Sequence, residues 1–108
     1  MAPETYQKKP KLVDHVRQMM ASNKPEGIAA ALEGLATRVD ARPIIRTIDV
    51  PTLVIVGEQD AISTVDEMRA IADELPDSVW VAVPHAGHLA NLENPAVVNE
   101  AIAEFITL

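Results

Sequence analysis

Two side chains in this sequence have the type and the position to move protons. Asp60 closes the run Thr52-Leu53-Val54-Ile55-Val56-Gly57-Glu58-Gln59-Asp60, just past an apolar stretch that reads as a buried strand. His88 lies in Val83-Pro84-His85-Ala86-Gly87-His88-Leu89, just past a second such stretch, Val79-Trp80-Val81-Ala82-Val83. Open α/β sheets place their chemistry outside the C-terminal ends of their strands. If the two strands are parallel neighbours, both side chains emerge on one sheet edge. A carboxylate that accepts a hydrogen bond from one ring nitrogen fixes the imidazole tautomer and leaves the other nitrogen as a general base. Asp60 and His88 are therefore the candidate catalytic residues, two thirds of a hydrolytic triad. Taken singly, each has a plainer reading: Asp60 as a turn-capping loop residue, His88 as a loop histidine beside a helix start.

The third member is harder to find. The serines are Ser22, Ser63 and Ser78, and none has glycines two residues to either side, so no nucleophile elbow is present. The glycines are Gly27, Gly34, Gly57 and Gly87, which leaves no glycine-rich loop to cradle a phosphate or to build an oxyanion hole. His85, His88 and Glu93 offer a metal-ligand reading, but they share one loop and lack a further ligand. No cofactor-binding or metal-binding residue is expected. His85 reads as a packing residue of the loop, and His15 as a solvated one. Glu93 reads either as a third carboxylate near the site or as a tie that bonds the loop's backbone donors.

The elements that must position this pair follow from apolar spacing and from the prolines. Residues 1–9 are polar and read as a flexible arm. Leu12, Val13, Val16, Met19 and Met20 predict a helix from residue 10 or 11 to about 20, with the methionines in packing positions. Pro25 suits the first position of a second helix, with Ile28, Ala31, Leu32, Leu35, Ala36 and Val39 on one face. It must end before Pro43, so residues 10–43 form a helical pair and residue 44 begins a connector. Residues 53–56 are apolar without alternation, the mark of a parallel strand covered on both faces. Thr64 and Glu67 match a capping box for a third helix, which Pro76 stops. The second strand, residues 79–83, follows. Asn94 can cap and Pro95 can open a last helix, with Val98, Ala101, Ile102, Phe105 and Ile106 inward. The expected fold is α/β: a helical pair, then a βαβα unit over 44–108 with two parallel strands.

Composition narrows the partners. A chain of 108 residues makes one domain. A net charge of −7 repels phosphate backbones, so nucleic acid is not an expected partner. No apolar run approaches membrane-spanning length, so no membrane partner is expected either. The sequence has no cysteine, and its start lacks the basic and apolar stretches of a signal peptide, so the expected location is the cytoplasm.

Two motifs in order resemble the C-terminal portion of an α/β-hydrolase-fold enzyme of the lactonase or esterase kind. Residues 50–60 are similar to the seventh strand of that fold and the triad acid after it. Gly87-His88 with Glu93 and Pro95 are similar to the triad histidine loop and the entry to the final helix. The resemblance covers residues 44–108 and, less specifically, 10–42, which are similar to a cap end and the helix before the seventh strand. It implies that Asp60 is the acid and His88 the base for an ester or lactone-like substrate. It also implies that six strands, the oxyanion loop and the nucleophile elbow lie elsewhere, as in a fragment, a truncated gene product or one part of a split enzyme. The nucleophile is then a serine or an aspartate supplied by a complementing N-terminal half, and the chain alone is inactive. The other reading is a non-catalytic, self-associating α/β module. A homodimer is expected, because an apolar strand without its sixth-strand neighbour exposes an edge that a second copy can pair.

Overall fold

The computed structural model describes residues 1–107; Leu108, the last residue of the expected 44–108 unit, lies outside the described residues. The elements are α1 (Pro3–Lys8), α2 (Pro10–Ala21), α3 (Pro25–Thr37), α4 (Arg42–Ile45), β1 (Thr52–Gly57), α5 (Val65–Glu74), β2 (Ser78–Val83), α6 (Ala90–Glu93) and α7 (Pro95–Ile106). β1 and β2 pair parallel, from Thr52 beside Ser78 to Gly57 beside Val83. The α/β architecture with two parallel strands agrees with the sequence reading.

Local chemistry explains the crossover helix. The Thr64 hydroxyl accepts from Glu67 N–H at 3.3 Å, and the Glu67 carboxylate accepts from Thr64 N–H at 3.2 Å. This reciprocal pair satisfies two donors that a helix start leaves free. At the other end Leu75, which precedes Pro76, turns extended and ends α5.

The helices α5 and α7 cover opposite faces of the sheet. Val83, Ala86 and Val98 form a buried cluster with Ile55, Val81, Ala90 and Val97 against it, so α7 lies on the face of Ile55 and Val83. Arg69 of α5 stacks on the Trp80 ring at 5.1 Å, which puts α5 on the face of Trp80 and of its register partner Val54. Val54 and Val56 are buried on that side.

Several expectations at the N-terminal end need correction. Residues 1–9 are not a flexible arm: Pro3 opens α1, and Ala2 and Thr5 are fully or almost fully buried. Met19 and Met20 do not pack; α2 buries only Val13 and Val16. α3 starts at Pro25 as expected but ends at Thr37, so Val39 lies outside it; the helix buries no residue, and Ile28, Leu32 and Leu35 are exposed. Residues 42–45 are a short helix of their own, straddling the expected boundary between the helical pair and the connector, with Arg42 N–H bonded to the Asp40 side chain at 3.0 Å. In α7, Val98 and Ala101 are buried but Ile102 and Ile106 are exposed. Asn94 does not cap that helix. Its amide instead donates to the Pro84 carbonyl at 2.9 Å. Among the described residues, no helix is long and apolar enough to cross a membrane.

The end of β1 is the tightest point. A Cβ on Gly57 would overlap the Gly87 carbonyl and lie 2.6 Å from the Ala86 carbonyl oxygen. Both obstacles are backbone and cannot swing aside. Gly57→Ala is expected to destabilise the chain by about 2–3 kcal/mol, read as a lower urea midpoint. Gly34→Ala, in open space within α3, is expected to stabilise by about 0.5–1 kcal/mol through helix propensity. A Gly57→Ala protein as stable as the parent would contradict this close approach.

Candidate active site

The loops after β1 and β2 are stitched together beyond the strands. Glu58 N–H donates to Val83 O and Gln59 N–H to Ala86 O, both at 2.9 Å. Asp60 follows, its own N–H bonded back to Gly57 O at 3.1 Å. The Asp60 carboxylate is then anchored on one oxygen: Oδ1 accepts from the amides of Ile62 at 2.9 Å and Ser63 at 3.0 Å. The other oxygen, Oδ2, is 3.0 Å from His88 Nδ1. The two residues that the sequence singled out are thus brought together on one sheet edge.

Their surroundings differ in a useful way. The Asp60 side chain is 6% exposed and that of His88 is 43% exposed. An ionised carboxylate only accepts, so Nδ1 carries the proton. Nε2 then presents its lone pair, and it has no hydrogen-bond partner among the described residues. Burial pushes the Asp60 carboxyl up, but the bond from His88, the amides of Ile62 and Ser63 and, whenever the ring is protonated, the His88 charge together hold it below its ordinary value.

Glu93 is the buried member of the His88 loop, at 1% exposure. Its Oε2 accepts from Gly87 N–H at 3.0 Å and Leu89 N–H at 3.1 Å. Its Oε1 accepts from Ala2 N–H at 2.6 Å and the Thr5 hydroxyl at 2.7 Å. Of the two sequence readings of Glu93, the tie is the one that the geometry fits. With its acceptor positions filled, Glu93 is not free to hold a metal ion. Among the described residues, no group of three or more His, Asp or Glu side chains could hold one. Burial pushes the Glu93 carboxyl up, and these four donors outweigh it and keep the carboxyl low.

His85 is not a packing residue. Its side chain is 72% exposed, its backbone is left-handed at φ 58°, and Nδ1 lies 3.0 Å from Glu4 Oε1. His15 is exposed, as expected. The residues that sequence reasoning missed are Ala2, Glu4 and Thr5. Pro3 at a first helical position, with Glu4 in the first turn and Lys8 in the last, signalled the helix. Nothing local signalled what it docks on.

The depressed carboxyls set a pH dependence. A group whose folded value lies below its unfolded one stabilises the fold above the unfolded value, and that stability is lost as pH falls through the folded one. Asp60 starts from an ordinary value of 3.8 and Glu93 from 4.5, and both are lowered. The urea midpoint is therefore expected to hold above about pH 4.5 and to fall progressively below it. In Asp60→Asn, whose amide oxygen can still accept from Ile62 and Ser63, the fall is expected to be smaller. An identical acid profile in the two proteins would contradict the Asp60 contribution.

Comparison with known proteins identifies the family to which this fold belongs. The model of the alpha/beta hydrolase fold family matches residues 8–95. The 3-oxoadipate enol-lactonase 2 of Acinetobacter baylyi is 33% identical over 93 residues, 86% of this chain and 34% of that protein. A 2-succinyl-6-hydroxy-2,4-cyclohexadiene-1-carboxylate synthase of an Enterobacter species is 34% identical over 97 residues, 88% of this chain and 35% of that protein. Among solved structures, a thermophilic esterase from Thermogutta terrifontis superposes with a TM-score of 0.96 at 42% identity, over 98% of this chain and 39% of that one. This chain spans about a third of the length of the curated relatives it matches. Two parallel strands with an acid loop and a histidine loop at one edge, a family model over most of the residues, and a near-identical backbone in an esterase lead to one conclusion: the chain belongs to the alpha/beta hydrolase fold family.

Proposed function

We propose that this chain carries the acid and the general base of a hydrolytic triad, Asp60 and His88, for an ester or lactone-like substrate. The observation that carries the reading is the 3.0 Å contact between His88 Nδ1 and Asp60 Oδ2 at the ends of adjacent parallel strands. The names of the relatives, an enol-lactonase and an esterase, support the substrate class. In this mechanism Nε2 takes the proton of the nucleophile, or of the water that attacks the covalent intermediate. Asp60 holds the ring and stabilises the imidazolium that forms. The proton then passes from Nε2 to the leaving oxygen.

The nucleophile, a serine or an aspartate, and the oxyanion hole come from a complementing N-terminal hydrolase half. No cofactor is needed. The cytoplasm, a reducing compartment that suits a chain without cysteine, is the place of action. The purified chain alone is expected to give no triad turnover of a chromogenic ester. With a polypeptide supplying the remaining strands and the nucleophile elbow, turnover is expected, and His88→Ala is expected to lower it at least about 1,000-fold. Turnover by the chain alone that is lost in His88→Ala and blocked by a serine-directed inhibitor would place the nucleophile among these residues and contradict the proposal.

A second reading, a self-associating module without catalysis, is favoured by two features. β1 pairs only with β2, so its outer edge is open among the described residues, and Ile28, Leu32 and Leu35 of α3 are exposed. A two-fold axis joining two β1 edges antiparallel would make a four-stranded sheet. Light scattering behind size exclusion is expected to report a homodimer. A monodisperse monomer at about tens of micromolar, a range in which interfaces of ordinary size are occupied, would rule this assembly out.

A further inference from the structure

His88 is gripped through the backbone on both of its flanks. The two amides that donate to Glu93 Oε2 belong to Gly87 and Leu89, the residues either side of it. A carboxylate offers about four acceptor positions, and the remaining two take Ala2 N–H and the Thr5 hydroxyl from the start of α1. Further contacts press the same segment onto the loop. The Lys9 ammonium donates to the Glu93 carbonyl, and Glu4 holds His85. A Cβ on Gly87 would lie 2.7 Å from Ala2 N. His85 is in a left-handed conformation that a non-glycine residue keeps only where its surroundings hold it. Asp60, by contrast, is anchored by amides of its own loop. The loop of Asp60 is also joined to this assembly, through Gln59 N–H to Ala86 O and the Gln59 amide to Glu4. The Asp60 carboxylate nevertheless keeps its own two amide donors, so loosening the Glu93 tie is expected to displace His88 more than Asp60.

We propose that Glu93 and Thr5 are positioning residues for His88, and that α1 is a strap whose docking holds the ring where Asp60 can keep the proton on Nδ1. The proposal rests on the reading of His88 as a general base. A catalytic pair works only within about half an ångström of its productive geometry, and this strap supplies that constraint from the opposite end of the chain.

The test reads the His88 ring nitrogens by NMR in the full chain, with the imidazole neutral, together with amide hydrogen exchange. The parent and Thr5→Ser, which keeps the hydroxyl, are expected to hold the proton on Nδ1. Thr5→Val keeps the volume and leaves the Glu93 charge in place. It is expected to speed exchange of the Gly87 and Leu89 amides about 10-fold and to lower the Nδ1-protonated fraction about twofold. In Glu93→Gln the exchange is expected to rise about 10- to 100-fold, as for loss of a hydrogen bond to a charged acceptor. The β1 and β2 amides are expected to keep their protection in Thr5→Val. An unchanged tautomer and unchanged exchange in Thr5→Val would overturn the proposal. So would equal effects in Thr5→Ser, or loss of β1 and β2 protection to the same degree, which would mark a merely structural role. Because these readouts need no turnover, failure of the complementation assay would refute the hydrolase reading and leave the strap standing.

Discussion

The in-register parallel pairing of β1 with β2 is the constraint on which the site depends. Parallel strands deliver both of their C-terminal ends to one sheet edge, and the register from Thr52–Ser78 to Gly57–Val83 brings those ends level. Glu58 and Gln59 extend the ladder into the following loops. Only then can a carboxylate three residues past β1 meet an imidazole five residues past β2. A slip of one residue would turn each apolar side chain to the wrong face and would separate the pair. The bare Cα of Gly57 lets the two loops come this close.

A second layer of control lies in how the two members are held. Asp60 is fixed by local amides, whereas His88 is fixed by a buried carboxylate that draws on both ends of the chain. Both carboxylates are buried, and both stay ionised because their acceptor positions are filled by N–H and O–H donors. Removing one partner of such a group costs more than one ordinary hydrogen bond, because the remaining charge is left short of donors.

The legible parts of this fold were those written in short stretches of sequence. The unbroken apolar run at residues 53–56 announced a covered parallel strand, and Thr64 with Glu67 announced the start of α5. The pairing of Asp60 with His88 followed from equivalent places after two strands. What stayed hidden was long-range. The burial of Thr5 depends on a carboxylate 88 residues away, which no local pattern encodes. Apolar spacing also misled where it promised packing. Ile28, Leu32, Leu35, Met19 and Met20 keep helical periodicity but meet no covering surface among the described residues, so the helices form and their faces remain open.

The most direct test of the central claim, that Asp60 sets His88 up as a base, is the protonation site of the His88 ring in the parent and in Asp60→Asn. In the parent, the proton is predicted on Nδ1, facing Asp60 Oδ2. In Asp60→Asn, the amide oxygen remains on Ile62 and Ser63, and the amide N–H₂ points at the ring as a donor. The proton is then predicted to move to Nε2, which removes the base. A ring with the same tautomer in both proteins would show that Asp60 does not orient His88 and would contradict the account.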